Sequence, residues 1–239
     1  MTELLYLKDS YMKECDAEVV EINKEDSTII LDKTIFYPKG GGQECDKGEI
    51  ETPDGKIRVI WVDKKDGKVR HEVDDIGLSL KPGSKIKCKI EWERRYKLMR
   101  SHTTTHILAE TIFRQTGALI TGNNMDLEKC RIDFSLENND AELMKKAVED
   151  SNNIIKQNLP IKIEFMSIEK AEKIPQLSKL AKGLPESLKE IRVVSIGDYD
   201  IQGDGGTHVN NTSEIGKIEF IKVDNRGKNN RRIYFKIID

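Results

Sequence analysis

Residues 91–117 read EWERRYKLMRSHTTTHILAETIFRQTG, and this stretch decides the fold because the period of the chain changes inside it. From Trp92 onward Tyr96, Met99, His102 and His106 recur at steps of three or four, the spacing of one helical face, Leu108 and Ile112 follow four apart, and Gly117 supplies a natural stop. Before it the chain reads as β. AEVVEI at Ala17–Ile22 and STIIL at Ser27–Leu31 alternate or run apolar around the turn cluster NKED, and Lys47–Ile50, Ile57–Val62, Val69–Val73 and Ile86–Ile90 follow. Turn signals at Pro53–Gly55, Gly67 and Pro82–Ser84 separate them, so many short closely spaced strands predict a small barrel or sandwich. Within it His71, in VRHEV, has no partner pattern and is expected on a strand surface. Beyond Gly117 a second helix is expected from about Asp140 to Gln157, capped from Asn138, Asn139 or Asp140 and ended before Pro160. Strands are expected at Ile161–Met166, Ile191–Ile196, Ile218–Val223 and Ile233–Ile238. Short helices and loop are expected over Ser167–Lys189, broken by Pro175, Gly183 and Pro185. The expectation is an α+β chain with a β domain over 1–90 and a mixed domain over 91–239.

Composition bounds the rest. With 239 residues, 34% charged and 37% hydrophobic, the chain has an ordinary core and room for one large or two small domains. Seventeen Gly, 6 Pro and 4 Cys exclude collagen-like and disulfide-scaffold classes. No run approaches the ~18 apolar residues of a membrane span, and the opening MTELLYLKDSYMKE has acidic residues where a secretory signal needs an apolar core. Four cysteines without a CxxC pair read as reduced thiols, which predicts a cytoplasmic protein. A formal charge of −2, from 40 basic and 42 acidic residues, excludes a protein held to nucleic acid by bulk charge but allows a local basic face.

Three of the four histidines fall in two motifs. His102 and His106 form HxxxH on the helix, one turn apart on one face, a spacing at which two imidazoles meet one metal. The residues between them are Thr103, Thr104 and Thr105, with no Glu, so a peptidase of the HExxH type is not supported. The second motif is Asp204-Gly205-Gly206-Thr207-His208, a carboxylate four residues before a histidine in a glycine-bearing loop. Together they offer an N3O donor set suited to zinc. Tyr37–Gln43, YPKGGGQ, carries three glycines that permit positive φ or close approach, and no GK[ST] follows that would make it a phosphate loop. Basic residues gather at Arg94, Arg95, Lys97 and Arg100, and again over Lys217–Lys236, where seven basic residues face two acidic ones around RGKNNRR.

Taken together, KTIFYPKGGGQECDKG, RRYKLMRSHTTTHIL, GDGGTHV with TSEIG, and KNNRRIYF resemble the editing domain of alanyl-tRNA synthetase, and more closely its free-standing relatives, the AlaX proteins of medium size. The resemblance runs over nearly the whole chain in order and spacing. It implies a small β-barrel followed by an α/β sandwich editing domain. It also implies a hydrolase that cleaves the ester of alanine tRNA mischarged with serine or glycine, with one Zn2+ per chain. His102, His106 and His208 are its implied zinc ligands. The family usually has Cys-Gly-Gly-Thr-His where this chain has Asp204 to His208, so Asp204 is the expected fourth ligand, through oxygen. Gly41, Gly42 and Gln43 match the glycine motif near the editing pocket. Thr121, in ALITGNN, stands where small relatives sense the serine hydroxyl, and Thr105 is a further candidate for substrate contact. Arg94, Arg95, Arg100, Arg231 and Arg232 are the expected tRNA contacts, with neither membrane nor DNA as partner. The rival readings are a tRNA-binding module with an inactive metal site, a zinc esterase on another aminoacyl substrate, and a purely structural zinc protein.

Overall fold

The computed structural model describes residues 2–52, 55–76, 80–137, 140–177 and 189–239. The turn residues Pro53 and Asp54, the cap candidates Asn138 and Asn139, and the breakers Gly183 and Pro185 lie outside them. The chain divides into two compact units, one of residues 1–99 with 125–127, the other of 100–124 with 128–239. The division falls within the helix that opens at Trp92 rather than ahead of it.

The first unit contains β1 (Glu3–Leu4), β2 (Glu14–Asn23), β3 (Thr28–Leu31), β4 (Lys33–Thr34), β5 (Gly48–Thr52), β6 (Gly55–Lys65), β7 (Lys68–Val73) and β8 (Lys85–Ile90). Six of these close a barrel in the order β2-β3-β7-β6-β5-β8, while β1 and β4 pair in parallel. Period-two alternation fills its interior: Ile57, Val59 and Val62, Val69 and Val73, and Ile86, Cys88 and Ile90 are all buried. That alternation corrects the reading of His71. Between Val69 and Val73 it falls on the inner face and is fully buried. Its ring lies 2.8 Å from the Thr34 hydroxyl and 3.2 Å from the Ile29 carbonyl. Burial pushes its pKa down to about 4, so it is a neutral member of the barrel core.

Helix α1 spans Trp92–Thr116. The second unit continues with β9 (Ile120–Asn124), β10 (Cys130–Phe134), α2 (Ala141–Ile155), β11 (Ile161–Ser167), α3 (Ile168–Glu172), β12 (Glu190–Ile196), β13 (Asp200–Gly203), β14 (Lys217–Asn225) and β15 (Arg231–Ile238). They form a four-stranded sheet ordered β14-β15-β10-β9 and a three-stranded antiparallel sheet ordered β11-β12-β13. The architecture is α+β. Asp140 caps α2 by accepting from the N–H groups of Glu142 and Leu143. Among the described residues no helix is long and apolar enough to cross a membrane. Every residue from Ser101 to Ala109 of α1 is buried, so this part of the helix is enclosed on all sides rather than amphipathic. Its polar side chains must therefore find partners. Thr104, Thr105 and Thr111 do so by donating to the carbonyls of Arg100, Ser101 and Ile107 one turn back.

Candidate metal centre

His102 and His106 leave α1 one turn apart, and the loop after β13 brings Asp204 and His208 to them. One ligand atom from each of the four lies within 4.8 Å of all the others. The His102–His208 ring centroids are 4.4 Å apart, those of His106 and His208 4.9 Å, and those of His102 and His106 5.2 Å. His208 Nε2 is 3.0 Å from Asp204 Oδ2, while Nε2 of His102 and of His106 lie 3.4 and 3.9 Å from Oδ1. Ligand atoms on a tetrahedron with metal bonds of about 2.0–2.2 Å stand roughly 3.4 Å apart, and the three histidine–carboxylate separations bracket that value. The three imidazoles are almost wholly buried.

Two of the rings are held from behind. His106 Nδ1 lies 3.0 Å from Asp200 Oδ2, and His208 Nδ1 lies 3.1 Å from the Thr103 hydroxyl. Both contacts engage Nδ1 and leave Nε2 facing the carboxylate, the outer support that fixes ring orientation in metal sites. Asp204 is positioned in turn: its carboxylate accepts from Gly206 N–H at 2.6 Å, and its main-chain carbonyl accepts from Arg192 at 2.6 Å. Gly206 explains the glycine of the motif, because a Cβ there would sit 1.9 Å from Cε1 of His102. No side chain fits between that backbone and the ring.

The electrostatics favour an ionised carboxylate at Asp204. Burial opposes ionisation of Asp204, but the charges and hydrogen bonds of His102 and His208 outweigh it and hold the carboxyl well below the usual range. Burial, reinforced by His102, pushes His208 down to about 3. Burial also disfavours protonated His106, yet the hydrogen bond that it donates to Asp200 and the charges of Asp204 and Asp200 raise it overall. Neutral imidazoles and an ionised carboxylate are the forms that bind a divalent metal. The four residues therefore form a group able to hold a metal ion. Beside them, about 1380 Å³ of cleft is bounded by residues that include Phe113, Arg114, Tyr199, Asp200 and Gln202.

Other expected site residues lie elsewhere. In the first unit Gly41 and Gly42 adopt φ of +57° and +83°, which only glycine takes without strain. Gly40 and Gln43 exchange backbone hydrogen bonds across this turn, Gly42 O accepts from Met125 N–H, and Gln43 is buried. Thr105 spends its hydroxyl on Ser101, and exposed Thr121 donates to Asn230 Oδ1 at 3.1 Å. Among the arginines, Arg95 is fully buried, ion-paired to Asp46 and donating to the carbonyls of Ser10 and Ile35. Arg94 donates to Cys45 O, and Arg100 to Ile215 O and the Asp239 carboxylate. Arg231 is buried among the carbonyls of Glu137, Gly227 and Asn230, and Arg232 is bidentate to Asp133. As surface phosphate contacts Arg95 and Arg231 are thus corrected: both side chains are buried, and acceptors within the fold already use their guanidinium groups. The exposed cations of the hairpin are Lys217, Lys222, Arg226 and Lys228. Sequence reasoning missed Asp200, Thr103 and Arg192. Thr103 had only its place beside His102 as a signal, and Asp200 only its place one strand ahead of Asp204.

Family models mark the same two parts. Residues 191–234 match the second additional domain of threonyl and alanyl tRNA synthetases, and residues 5–94 match class II (A) tRNA synthetases. Both models describe parts of tRNA synthetases. Over its full length it is 43% identical to the alanyl-tRNA editing protein AlaX-M of Methanosarcina barkeri, covering all of that protein. It is 44% identical to AlaX-M of Saccharolobus solfataricus over 99% of both chains. It is 36% identical to AlaX-L of Pyrococcus horikoshii over 98% of this chain and 58% of that one. The chain belongs to the AlaX family of alanyl-tRNA editing proteins, with the medium-sized members as its full-length relatives.

Proposed function

We propose that this protein hydrolyses the ester of alanine tRNA mischarged with serine, and with glycine, in the cytoplasm, and holds one zinc ion through His102, His106, His208 and Asp204. The observation that carries this reading is the convergence of those four donors within 4.8 Å, with two rings braced from behind. Zinc held by these four residues would supply Lewis-acid chemistry toward the ester. An aminoacyl ester is already activated, so the chain's task is to place the acyl group and water and to stabilise charge on the developing oxyanion. Asp200 and Thr103 keep the imidazoles aimed, and the cleft past Asp200 gives the aminoacyl end room. The glycine turn at Gly41–Gln43 is assigned to the substrate as well.

Serine differs from alanine by one hydroxyl, which an apolar pocket discriminates weakly; a polar partner left unpaired by alanine discriminates better. Thr121 is assigned that part, and Thr121→Val is expected to narrow the serine preference. The exposed cations around Arg226 and Lys228 are assigned to the tRNA backbone. The test is deacylation of alanine tRNA charged with serine, glycine or alanine by the zinc-loaded protein. Turnover of the serine and glycine esters with the alanine ester spared is expected. Equal rates on all three defeat the selectivity, equal rates on free aminoacyl esters make it a general esterase, and tRNA binding without turnover makes it a binding module.

A further inference from the structure

The barrel closes where its first long strand meets its last. There β2 pairs with β8 in antiparallel register, and Cys15 stands directly opposite Cys88. Along this seam Ile90 N–H donates to Lys13 O and Val19 N–H to Ser84 O, so hydrogen bonds fall on every second pair and Cys15–Cys88 is a bonded pair. Such pairs hold their Cα atoms about 5.5 Å apart, inside the roughly 4.4–6.8 Å span of disulfides. Both side chains face the barrel interior: Cys88 is wholly buried in its core, and Cys15, packed against that core, keeps partial access to solvent.

We propose that Cys15 and Cys88 are a peroxide-oxidisable pair that forms a reversible cross-strand disulfide sealing the barrel. The proposal stands independently of the metal centre. The accessible member reacts first: the Cys15 thiolate attacks one peroxide oxygen, the O–O bond breaks, and the alkoxide or hydroxide leaves with the electron pair. Cys15 is then a sulfenic acid. The Cys88 sulfur displaces its hydroxyl, forming the S–S bond and releasing water with the Cys88 proton. One peroxide is reduced and two thiols are oxidised.

The surroundings suit that order of events. The Cys88 thiol hydrogen-bonds to the Cys15 sulfur, and the Ile35 N–H and the Lys33 charge act in the same direction, so Cys15 is more acidic than an ordinary thiol. Its partner is shifted the other way, first by Cys15 and then by burial, and stays protonated until the sulfenic acid forms. Bridging also draws the two Cβ atoms to about 3.8 Å, nearer than a bonded cross-strand pair rests. The disulfide is therefore strained and easily reduced, as a reversible bond must be. Cys45 and Cys130, buried elsewhere, serve as internal controls.

The experiment treats the full-length protein with hydrogen peroxide, alkylates it under denaturing conditions and weighs it. The expected product has two alkylatable thiols instead of four, a mass lower by about 2 Da before alkylation, and a peptide joining Cys15 to Cys88; dithiothreitol restores all four thiols. Cys88→Ser should leave Cys15 as a sulfenic acid that dimedone traps, while Cys15→Ala should leave Cys88 alkylatable throughout. The Cys88→Ala and Cys15→Ser variants repeat both readings should either first choice fold poorly. Four alkylatable thiols after treatment, a joined pair other than Cys15–Cys88, or over-oxidation of Cys15 in the parent as fast as in Cys88→Ser overturns the proposal.

Discussion

Each compact unit buries a charged cluster, and the two are built on opposite principles. In the first, the Arg95 guanidinium meets Asp46 and the carbonyls of Ser10 and Ile35, so each of its three nitrogens finds an acceptor, and Asp46 also accepts from Tyr37 N–H. In the second, three imidazole Nε2 atoms and the Asp204 carboxylate face one another, and in their neutral and ionised forms most of these atoms are acceptors. Acceptors gathered around a common point are satisfied by a proton or a cation. A buried polar cluster is thus structural when its donors and acceptors balance, and a binding site when they do not.

The sharpest way to break this contrast is to remove the histidines. Replacing His102, His106 or His208 by Ala should take bound zinc from about one per chain to near zero and lower deacylation by at least ~100-fold, leaving a folded protein by circular dichroism. Metal content unchanged in all three variants would make the cluster as structural as the other. Asp46→Ala probes the balanced cluster. It leaves a buried guanidinium without its counter-ion, which costs about 3–5 kcal/mol. Denaturant melts should show that loss, while zinc per folded chain should match the parent.

His71 gives a pH test confined to the barrel. The ring is neutral when folded, with a pKa of about 4, against 6.5 when unfolded. Between these values the unfolded chain binds the extra proton, so stability should rise with pH through about 4–6.5 and be fully present above it. The whole shift amounts to roughly 3 kcal/mol. His71→Gln should flatten that part of the stability curve. If the slope persists, another group carries it.

Much of this was legible in the sequence, and what was not has physical causes. Helix spacing delivered His102 and His106, and the same phase should have delivered Arg95, which stands in step with Leu98, Met99 and His102. Arg94 and Arg95 look alike in composition, and only their angle on the helix separates a half-buried guanidinium from a wholly buried one. The place of His71 is decided by its alternation with Val69 and Val73, not by whether it has a ligand partner. Strand β9, ITGNN, carries no strand signal of its own; pairing with β10 makes it a strand. Asp200 and Thr103 reach the metal residues through tertiary geometry that no spacing rule encodes.

Asp200 tests whether that unencoded support matters. Asp200→Asn keeps the shape and a hydrogen-bonding side chain beside His106 but removes the charge. Loss of such outer support typically weakens metal binding by about 10–100-fold. Competition with a chromogenic chelator should show zinc affinity falling within that range, with the protein still folding. Affinity equal to the parent's would mean that α1 and the rings' own packing aim His106 without Asp200.

The smallest effect concerns the surface, where the two kinds of cluster compete for the same residue type. Arg231 and Arg226 both belong to the basic segment around RGKNNRR, yet one is buried among carbonyls and the other is exposed in the hairpin turn. Phosphate contacts release counterions, so each one removed lowers the slope of log affinity against log salt by about one unit. Arg226→Ala and Lys228→Ala should each reduce the slope for alanine tRNA by that amount and leave thermal stability within about 0.5 kcal/mol. Arg231→Ala should do the reverse, lowering stability because the carbonyls of Glu137, Gly227 and Asn230 lose a shared donor, with the slope nearly unchanged. A slope that falls with Arg231 and not with Arg226 or Lys228 would put the tRNA on the far side of the hairpin and make the buried guanidinium part of the binding surface.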